Sequence, residues 1–337
     1  MKTVALIRGD GTGPELVEAM LLVLKASGAR AEFVTCDAGA EWWEKHGGPS
    51  MVPEETWRIL EDADCCFKGP TTTLTAPGTP KSVAVSIRQR FDLYANVRPI
   101  KTFPNHVGPL GAVDFLMVRE GTEGLYSGIE YKLNDDAAIA IRLITRTKST
   151  KVTRFALDEA RKRRWRKVVV ICKANILKVT DGLFLDAARQ NANEYPGIEL
   201  EELFIDNFSQ QLVKNPQRFD HNVIVGTNLF MDILSEEASG LVGSIGMIYS
   251  ANFGDRYAMF EPAHGSTPKY AGKDKVNPTA TILSAAWMLD HIGEKRAGKA
   301  IFDATMKVVS SGKEVTYDLG GKSGTSAMAK AVARLVR

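Results

Sequence analysis

Short, mainly apolar runs alternate along the chain with longer segments whose apolar residues recur every three or four positions. The runs predict buried strands and lie at residues 4–7, 64–68, 115–118, 168–172, 203–205 and 223–225. The longer segments predict helices at residues 12–28, 54–62, 82–90, 181–193, 227–237 and 279–292. A further helix is expected to start at Ser149 or Thr150. Several strands end on a polar residue, and open α/β sheets bind their ligands at such ends.

The first predicted strand leads into a glycine-rich turn, residues 8–15 (RGDGTGPE). Thr12 is placed to cap the next helix, with Pro14 and Glu15 in its first turn. A dinucleotide-binding fingerprint needs a glycine at its sixth position after the strand, and Pro14 stands there. We therefore reject a standard Rossmann site, although the glycines permit a tight turn that approaches a ligand closely.

Two acidic residues, Asp232 and Glu236, lie four positions apart within the predicted helix at residues 227–237. This spacing puts both carboxylates on one helix face, with their Cβ atoms about 5–6 Å apart. The other side is expected to carry the apolar residues Leu229, Ile233 and Leu234. A divalent cation such as Mg²⁺ or Mn²⁺ takes oxygen ligands and would relieve the repulsion between the acids. From these residues alone, a solvated acidic helix face stays open as the alternative interpretation.

The composition is that of a soluble globular protein. The chain has 337 residues, of which 44% are hydrophobic and 25% charged, so it is long enough for two domains or for one domain with a large insertion. The net charge of +3, from 43 basic and 40 acidic residues, is too small to predict binding to nucleic acid or to a membrane surface. The basic run at residues 161–167 (RKRRWRK) is interpreted as a solvated helix end, because no second basic stripe accompanies it.

The cysteines and the apolar runs bear on the compartment. The four cysteines have no metal-finger spacing and are predicted to be buried free thiols in a reducing compartment. The first apolar run is interpreted as a strand and not as a signal peptide, and no run is long enough to cross a bilayer. We therefore predict a cytoplasmic protein.

Six motifs occur in a characteristic order. They are GDGTGPE at residues 9–15, FDLYANVRP at 91–99, REGTEGLYSG at 119–128, KANILKVTDGLF at 173–184, NLFMDILS at 228–235 and HGSTPKYAGKDKVNP at 264–278. With these motifs the chain resembles the isocitrate and isopropylmalate dehydrogenase family of β-decarboxylating oxidoreductases. The resemblance implies a two-domain α/β fold that is not a Rossmann fold, with the active site in the cleft between the domains.

The resemblance also implies how the domains and subunits are arranged. Residues 1–95 and 246–337 are expected to form a large domain that carries the cofactor loop. Residues 96–245 are expected to form a small domain that carries the dimer interface and the metal-binding acids. The implied partner is a second copy of the chain, because the family completes each active site with residues of the neighbouring subunit.

Site residues follow by matching motif. The implied substrate-binding residues are Ser82, Arg88, Arg98, Arg119, Tyr126, Lys173 and Asn175. Tyr126 and Lys173 resemble the catalytic acid–base pair, with Lys173 supplied by the neighbouring subunit. The implied ligands of Mg²⁺ or Mn²⁺ are Asp232, Glu236 and, across the dimer interface, Asp206. The implied cofactor-binding residues are Thr72, Glu261, His264, Gly265, Lys269, Tyr270, Asn277 and Tyr317.

Lys269 and Tyr270 bear on the choice between NAD and NADP. They follow HGSTP, where NAD-using relatives typically carry an acid and an aliphatic residue, and a cation with a phenol favours the 2′-phosphate of NADP. Tyr317 is a further match to NADP-using enzymes. Gly321 stands where those enzymes usually have an arginine. We therefore predict NADP, with a weakened preference over NAD.

Three positions depart from the family pattern. Glu236 stands where aspartate is usual, Gly121 where the pattern reads REN, and Ala84 where isocitrate enzymes commonly have an asparagine. Ser82 favours a tricarboxylate, so isocitrate is the predicted substrate. Homoisocitrate is the alternative, followed by 3-isopropylmalate. An alternative of another class is a non-catalytic regulatory subunit of a hetero-oligomeric dehydrogenase.

Overall fold

A single sheet of ten strands organises the chain, whose residues 1–105 and 108–336 are described by a computed structural model. The strands are β1 (Lys2–Ile7), β2 (Ala31–Cys36), β3 (Cys65–Lys68), β4 (Ala95–Lys101), β5 (Asp114–Glu120), β6 (Glu130–Lys132), β7 (Ala138–Ala140), β8 (Lys167–Cys172), β9 (Glu199–Phe204), β10 (Asn222–Gly226), β11 (Tyr249–Phe253) and β12 (Ala258–Pro262). All except β6 and β7 belong to the large sheet, in the order β2-β1-β3-β12-β11-β4-β5-β10-β8-β9.

The sheet joins two parallel groups of strands through an antiparallel centre. β2, β1, β3 and β12 are parallel to one another, as are β5, β10, β8 and β9. Between the groups, β11 pairs antiparallel with both β12 and β4, and β4 pairs antiparallel with β5. The two parallel groups therefore run in opposite directions. The predicted domain boundaries fall at the β11–β4 pair, and this domain division stays a prediction because the sheet continues across it.

Eleven α-helices cover the sheet in the part of the chain that the structure describes. They are α1 (Gly13–Ser27), α2 (Ala40–His46), α3 (Glu54–Asp62), α4 (Val83–Arg90), α5 (Arg146–Arg163), α6 (Thr180–Ala192), α7 (Ile205–Lys214), α8 (Asn228–Ser239), α9 (Thr279–His291), α10 (Lys295–Ser311) and α11 (Thr325–Leu335). Helix α9 lies in the main hydrophobic core with most of its residues buried, as its apolar sequence predicts. The predicted α/β class is confirmed.

The apolar strands are buried because helices cover both faces of the sheet. Every residue of β3 and β10 is buried, as expected for parallel strands in the interior of a sheet. The four cysteines are free and buried, as predicted. None of the described helices is long and apolar enough to cross a membrane.

A small hairpin stands apart from the sheet. Strands β6 and β7 pair antiparallel, and all their residues are exposed. Tyr131, Leu133 and Ile139 are large apolar side chains of this hairpin that remain in contact with solvent. We refer to residues 130–140 as the arm.

Four local predictions were wrong. Thr12 precedes α1 but makes no side-chain cap bond, because its backbone is already helical (φ −78°, ψ −5°) instead of extended as in a capping residue; its hydroxyl donates to the Ser266 carbonyl oxygen at 2.9 Å. Helix α5 begins at Arg146, with Thr145 as its cap, and not at Ser149 or Thr150. Ile233 is 56% exposed and not on the buried side of α8. The strand predicted at residues 203–205 ends at Phe204, so Ile205 and the following Asp206 lie in the first turn of α7.

Candidate active site

A polar cavity of about 190 Å³ opens beside the antiparallel centre of the sheet. Its lining includes four cations and two carboxylates: Lys68, Arg88, Arg98, Arg119, Asp232 and Glu261. Thr71, Thr73, Ser82, Ala84, Val85, Tyr126, Pro262, Ala263, His264 and Gly265 complete the lining. The cavity therefore carries an excess of positive charge, which attracts anions although the net charge of the chain is small.

Arg119 is held rigidly at the end of β5. It is 3% exposed, and its Nε and Nη2 atoms both donate to Asn228 Oδ1, at 2.9 and 2.6 Å. Its Nη1 atom donates to Asp232 Oδ1. Burial lowers the pKa of Arg119 to about 10, so the side chain is still charged at neutral pH. A guanidinium fixed in this way is preorganised for a carboxylate.

Arg98 lies under the acidic face of α8. Its Nη1 atom donates to Ser235 Oγ at 2.8 Å and to Glu236 Oε1 at 3.0 Å, and its Nη2 atom is 3.6 Å from Asp232 Oδ1. Asp232 and Glu236 thus share one helix face, as the spacing predicts. Burial raises the pKa of Asp232, but Arg119 and Arg98 outweigh it and hold that pKa below its usual value.

Arg88 belongs to a buried ion-pair cluster at the opposite wall. Its Nη2 atom donates to Glu261 Oε1 at 2.7 Å, and Lys68 Nζ lies 2.9 Å from Glu261 Oε2. Burial raises the pKa of Glu261, but the neighbouring Lys68 and Arg88 lower it by more than burial raises it, so the net shift is a decrease. The Glu261 carboxylate is therefore ionised and holds both cations at the cavity.

Tyr126 stands between the arginines and the acidic helix face. Its hydroxyl donates to Asp232 Oδ2, and the Arg119 guanidinium lies 4.7 Å from the centre of its ring. Burial raises the pKa of Tyr126 above its ordinary value. The phenol is therefore protonated at neutral pH and can act as a proton donor in the cavity.

Ser82 and Ala84 form the wall at the beginning of α4. Ser82 is the cap of this helix, and its Oγ atom accepts a hydrogen bond from the Val85 backbone N–H at 3.3 Å. Its hydroxyl hydrogen has no acceptor among the described residues, so it is free for a ligand. Ala84 presents only a methyl group to the cavity.

Lys173, Asn175 and Asp206 lie outside the cavity lining. Lys173 Nζ pairs with Asp206 Oδ1 at 2.7 Å, and this hydrogen bond lowers the pKa of Asp206. Asn175 is exposed in the loop after β8. Within one chain, these three residues therefore lie apart from Tyr126 and Asp232. The family resemblance implies this separation for Lys173 and Asp206, since it assigns both to the neighbouring subunit's site.

The predicted cofactor residues are only partly gathered at the cavity. His264 and Gly265 line it, as does Glu261, while Thr72 lies beside them and its Oγ1 atom is 2.6 Å from Ser266 Oγ. Burial lowers the pKa of His264, and its Nε2 atom is buried without a partner among the described residues. Such an orphan polar atom fits a cofactor that supplies a hydrogen bond.

A second group of predicted cofactor residues lies further along the loop. The rings of Tyr270 and Tyr317 are 6.1 Å apart, and Lys275 Nζ lies 4.8 and 4.7 Å from their centres. Lys269 Nζ is 5.0 Å from the Tyr270 ring. The hydrogen bond with Tyr317 and the nearby lysines lower the pKa of Tyr270. Asn277 is buried, and its amide donates to Asp318 Oδ2 at 2.9 Å.

One chain supplies two of the oxygen ligands that a metal ion needs, but not a full set among the described residues. Across residues 1–105 and 108–336, no three His, Cys, Asp or Glu side chains group closely enough to hold a metal ion. Asp232 and Glu236 offer carboxylate oxygens from one helix face, which suit Mg²⁺ or Mn²⁺. These residues fit a divalent cation, provided that a further ligand comes from elsewhere.

Three polar residues of the site were not predicted from the sequence. Lys68 is a charged residue at the end of the buried strand β3, a position that signals a ligand site. Asn228 begins the NLFMDILS motif, but nothing in that motif indicates that its side chain accepts hydrogen bonds from Arg119. Asn252 lies in β11, whose sequence shows no motif, and its contact with Arg88 spans 164 residues of chain.

Comparisons with known proteins agree with this geometry. The sequence pattern of the family described as isocitrate/isopropylmalate dehydrogenase matches residues 3–332. The chain is 44% identical over 336 residues to the isocitrate/homoisocitrate dehydrogenase of Thermus thermophilus, covering 99% of this chain and 98% of that protein. It is 42% identical over 331 residues to the 3-isopropylmalate dehydrogenase of Methanothermobacter thermautotrophicus, covering 98% and 97%. The crystal structure of isocitrate dehydrogenase from Methylococcus capsulatus superposes with a TM-score of 0.95 at 44% identity and full coverage of both chains.

Proposed function

The chain belongs to the isocitrate/isopropylmalate dehydrogenase family of β-decarboxylating dehydrogenases, and from this premise we propose that it oxidatively decarboxylates isocitrate to 2-oxoglutarate with a preference for NADP. The observation that carries the proposal is the cavity in which three buried arginines surround the Tyr126 hydroxyl and the Asp232 carboxylate. Anionic substrates with several carboxylates fit this arrangement.

Charge balance favours a tricarboxylate together with a divalent cation. The lining has four cations and two carboxylates, which leaves two positive charges uncompensated. A tricarboxylate brings three negative charges and the Glu236 carboxylate a fourth, so a divalent cation held by Asp232 and Glu236 makes the loaded site neutral. Enzymes of this family use NAD or NADP and a divalent metal ion. When bound, that ion supplies Lewis-acid polarisation at the substrate's 2-oxygen.

The protein groups divide the remaining work. Arg88, Arg98 and Arg119 bind the carboxylates and fix the substrate with C2 toward the cofactor site. Oxidation at C2 would pass a hydride to the bound nicotinamide and release the 2-hydroxyl proton, for which Lys173 of the second copy is the proposed base. Asp232 accepts a hydrogen bond from the Tyr126 hydroxyl and so keeps the phenol pointed into the cavity. After the β-carboxylate leaves as carbon dioxide, the Tyr126 hydroxyl is placed to return a proton to carbon.

Exposed apolar residues support a homodimer that completes the site. Ile176 and Val179 follow β8, near Lys173, and are 69% and 83% exposed. Ile233 is exposed directly beside Asp232, and the arm adds further apolar surface. Burying these side chains against a second copy of the chain would remove apolar area from water. Lys173 and Asp206 of that second copy would then reach the cavity.

Ser82 and Ala84 bear on the choice of substrate. The free Ser82 hydroxyl can donate to the third carboxylate of isocitrate, whereas 3-isopropylmalate has an alkyl group there. Homoisocitrate is the second candidate because Ala84 leaves room at this wall for one additional methylene.

Initial-rate measurements test the proposed function. The purified chain should turn over isocitrate with the highest kcat/KM among isocitrate, homoisocitrate and 3-isopropylmalate, each assayed with NADP and with NAD in the presence of Mn²⁺. Exhaustive chelation with EDTA should abolish the rate, and Mn²⁺ should restore it. A higher kcat/KM with either other acid would transfer the assignment to that acid. No turnover by the chain alone would instead favour a regulatory subunit.

The cofactor preference has its own test. Replacing Lys269 with aspartate and Tyr270 with isoleucine should lower kcat/KM for NADP, by roughly tenfold for each 1.4 kcal/mol of lost contact. The same charge change at the exposed Lys307 on α10, Lys307→Asp, is the matched control and should leave both cofactors unaffected. If the double variant keeps its efficiency with NADP, or if the unmodified protein prefers NAD, the Lys269 and Tyr270 assignment is wrong.

A further inference from the structure

A chain of buried side-chain hydrogen bonds crosses the centre of the sheet beneath the cavity. Asn96 on β4 and Asn252 on β11 are directly paired in register, and both are fully buried. Asn96 Nδ2 donates to Asn252 Oδ1 at 2.8 Å. Neither asparagine lines the cavity, yet each contacts an arginine that does. We call Asn96 and Asn252 the asparagine pair.

Each amide of the asparagine pair connects an arginine to the next group. Asn96 Oδ1 accepts from Arg98 Nε at 3.1 Å, and Asn252 Oδ1 accepts from Arg88 Nε at 2.8 Å. Asn252 Nδ2 then donates to Glu261 Oε1 at 2.9 Å and to the Met259 carbonyl oxygen at 3.2 Å. The hydrogen-bond chain thus runs from Arg98 through both asparagines to Glu261, which lies just before the cofactor loop.

The direction of every bond in this chain is determined by groups that cannot change roles. An arginine Nε only donates, so each asparagine must turn its oxygen toward its arginine. An ionised carboxylate only accepts, so Asn252 must turn its nitrogen toward Glu261. Both requirements are met with one orientation of each amide. The two lone pairs and the two hydrogens of the Asn252 side chain are all used.

We propose that Asn96 and Asn252 are positioning residues, which set the guanidinium orientations of Arg98 and Arg88 for the substrate and join them to Glu261 beside the cofactor loop. This inference rests on the proposed function for the reaction it serves. The physical reason is that the Nε bond on the sheet side, together with the Nη contacts to Ser235 and Glu236 (Arg98) or Glu261 (Arg88), fixes the plane of each guanidinium at the cavity. Without its asparagine, each arginine loses that constraint, and its buried Nε–H is left without an acceptor.

The two asparagines should differ in which substrate they affect. Asn96 contacts only Arg98 among the cavity residues, so Asn96→Leu should raise KM for isocitrate roughly tenfold with kcat within about threefold and KM for NADP unchanged. Asn252 contacts both Arg88 and Glu261, so Asn252→Leu should raise KM for both substrates. Equal effects of the two variants on both KM values would contradict the proposal.

A double-mutant cycle separates positioning from general loss of packing. Lysine at position 98 has no Nε donor, so the effect of Asn96→Leu on KM for isocitrate should fall below about twofold in an Arg98→Lys background. Ser284→Ala is the control, because Ser284 is equally buried and donates to the Glu261 backbone carbonyl at 2.8 Å without contacting an arginine. It should lower Tm and leave KM for isocitrate unchanged. An undiminished Asn96→Leu effect in the Arg98→Lys background would overturn the proposal.

A crystal structure of the variant decides the inference even if no isocitrate turnover is found. The Arg98 guanidinium should be rotated or disordered in Asn96→Leu relative to the unmodified protein. Should that variant fail to fold, Asn96→Ser serves the same purpose, because its hydroxyl is too short to reach Arg98 Nε. An unchanged Arg98 side chain would refute positioning by Asn96. Absence of turnover in the unmodified protein would refute only the proposed function.

Discussion

Replacing Arg119 with lysine will lower kcat/KM for isocitrate by roughly 10²–10³, the effect of about 3–4 kcal/mol of lost transition-state binding. The reason is geometric. Arg119 uses three N–H groups to engage Asn228 and Asp232 at once, and it is almost fully buried. A lysine ammonium is a point charge that cannot reproduce this planar fork, so it preserves the charge but loses the orientation.

The measurement for Arg119→Lys is steady-state kinetics with isocitrate and NADP, accompanied by Tm. Arg142→Lys is the matched control, since Arg142 also pairs with a buried acid, Asp181, at 2.6 Å but does not line the cavity. The control should lose stability without a comparable loss of kcat/KM. A loss below threefold in Arg119→Lys, or an equal loss in the control, would show that Arg119 does not bind the substrate.

Dimers assembled from two inactive variants should regain activity if each site takes Tyr126 from one subunit and Lys173 from the other. We expect Tyr126→Phe and Lys173→Met to be inactive alone and to give about a quarter of wild-type activity after unfolding and refolding together. Half of the randomly assembled dimers are then hybrids, and one of the two sites in each hybrid has both residues intact. The structure motivates this expectation because Lys173 lies outside the cavity that contains Tyr126.

The reciprocal mixture provides the control for subunit sharing. Hybrids between the unmodified chain and a chain carrying both substitutions should have no intact site if the residues are shared. If Tyr126 and Lys173 instead serve the same site within one subunit, the first mixture stays inactive and these hybrids keep half of the wild-type activity. The two mixtures therefore give opposite results under the two arrangements, and the hybrid fraction is measured by differential tagging.

Local pattern was sufficient where a residue's role depends on its own element. The apolar runs predicted the buried strands β8 and β10, and the four-residue spacing placed Asp232 and Glu236 on one face of α8, where both contact Arg98. The family motifs likewise pointed to Arg88, Arg98, Arg119 and Tyr126, which the structure brings to one cavity. Their functional roles stay predictions.

Local pattern failed where a distant partner decides the outcome. The Thr12 hydroxyl donates to Ser266, which is 254 positions away, and its oxygen makes no cap bond to the helix that it precedes. Ile233 is an apolar residue of the kind expected on a buried helix face, but periodicity does not reveal which surface, if any, covers it. Asn96 and Asn252 are 156 positions apart and form one contact, and nothing in either local sequence indicates the other. Long-range pairing is the information that periodicity and motifs lack.

The order of the strands also has a consequence for biosynthesis. Strand β12, which covers the edge of β3 and connects it to the rest of the sheet, is synthesised about 190 residues later, a delay of roughly 10–40 s at ordinary translation rates. Until then the nascent chain presents β3 as an open and mainly apolar edge. The central region, residues 95–226, contains β4, β5, β10, β8 and β9 and can pair them as it emerges. The amino-terminal strands β1, β2 and β3 can also pair with one another early, but the free edge of β3 must wait for β12, which makes this edge a site that needs protection by a chaperone.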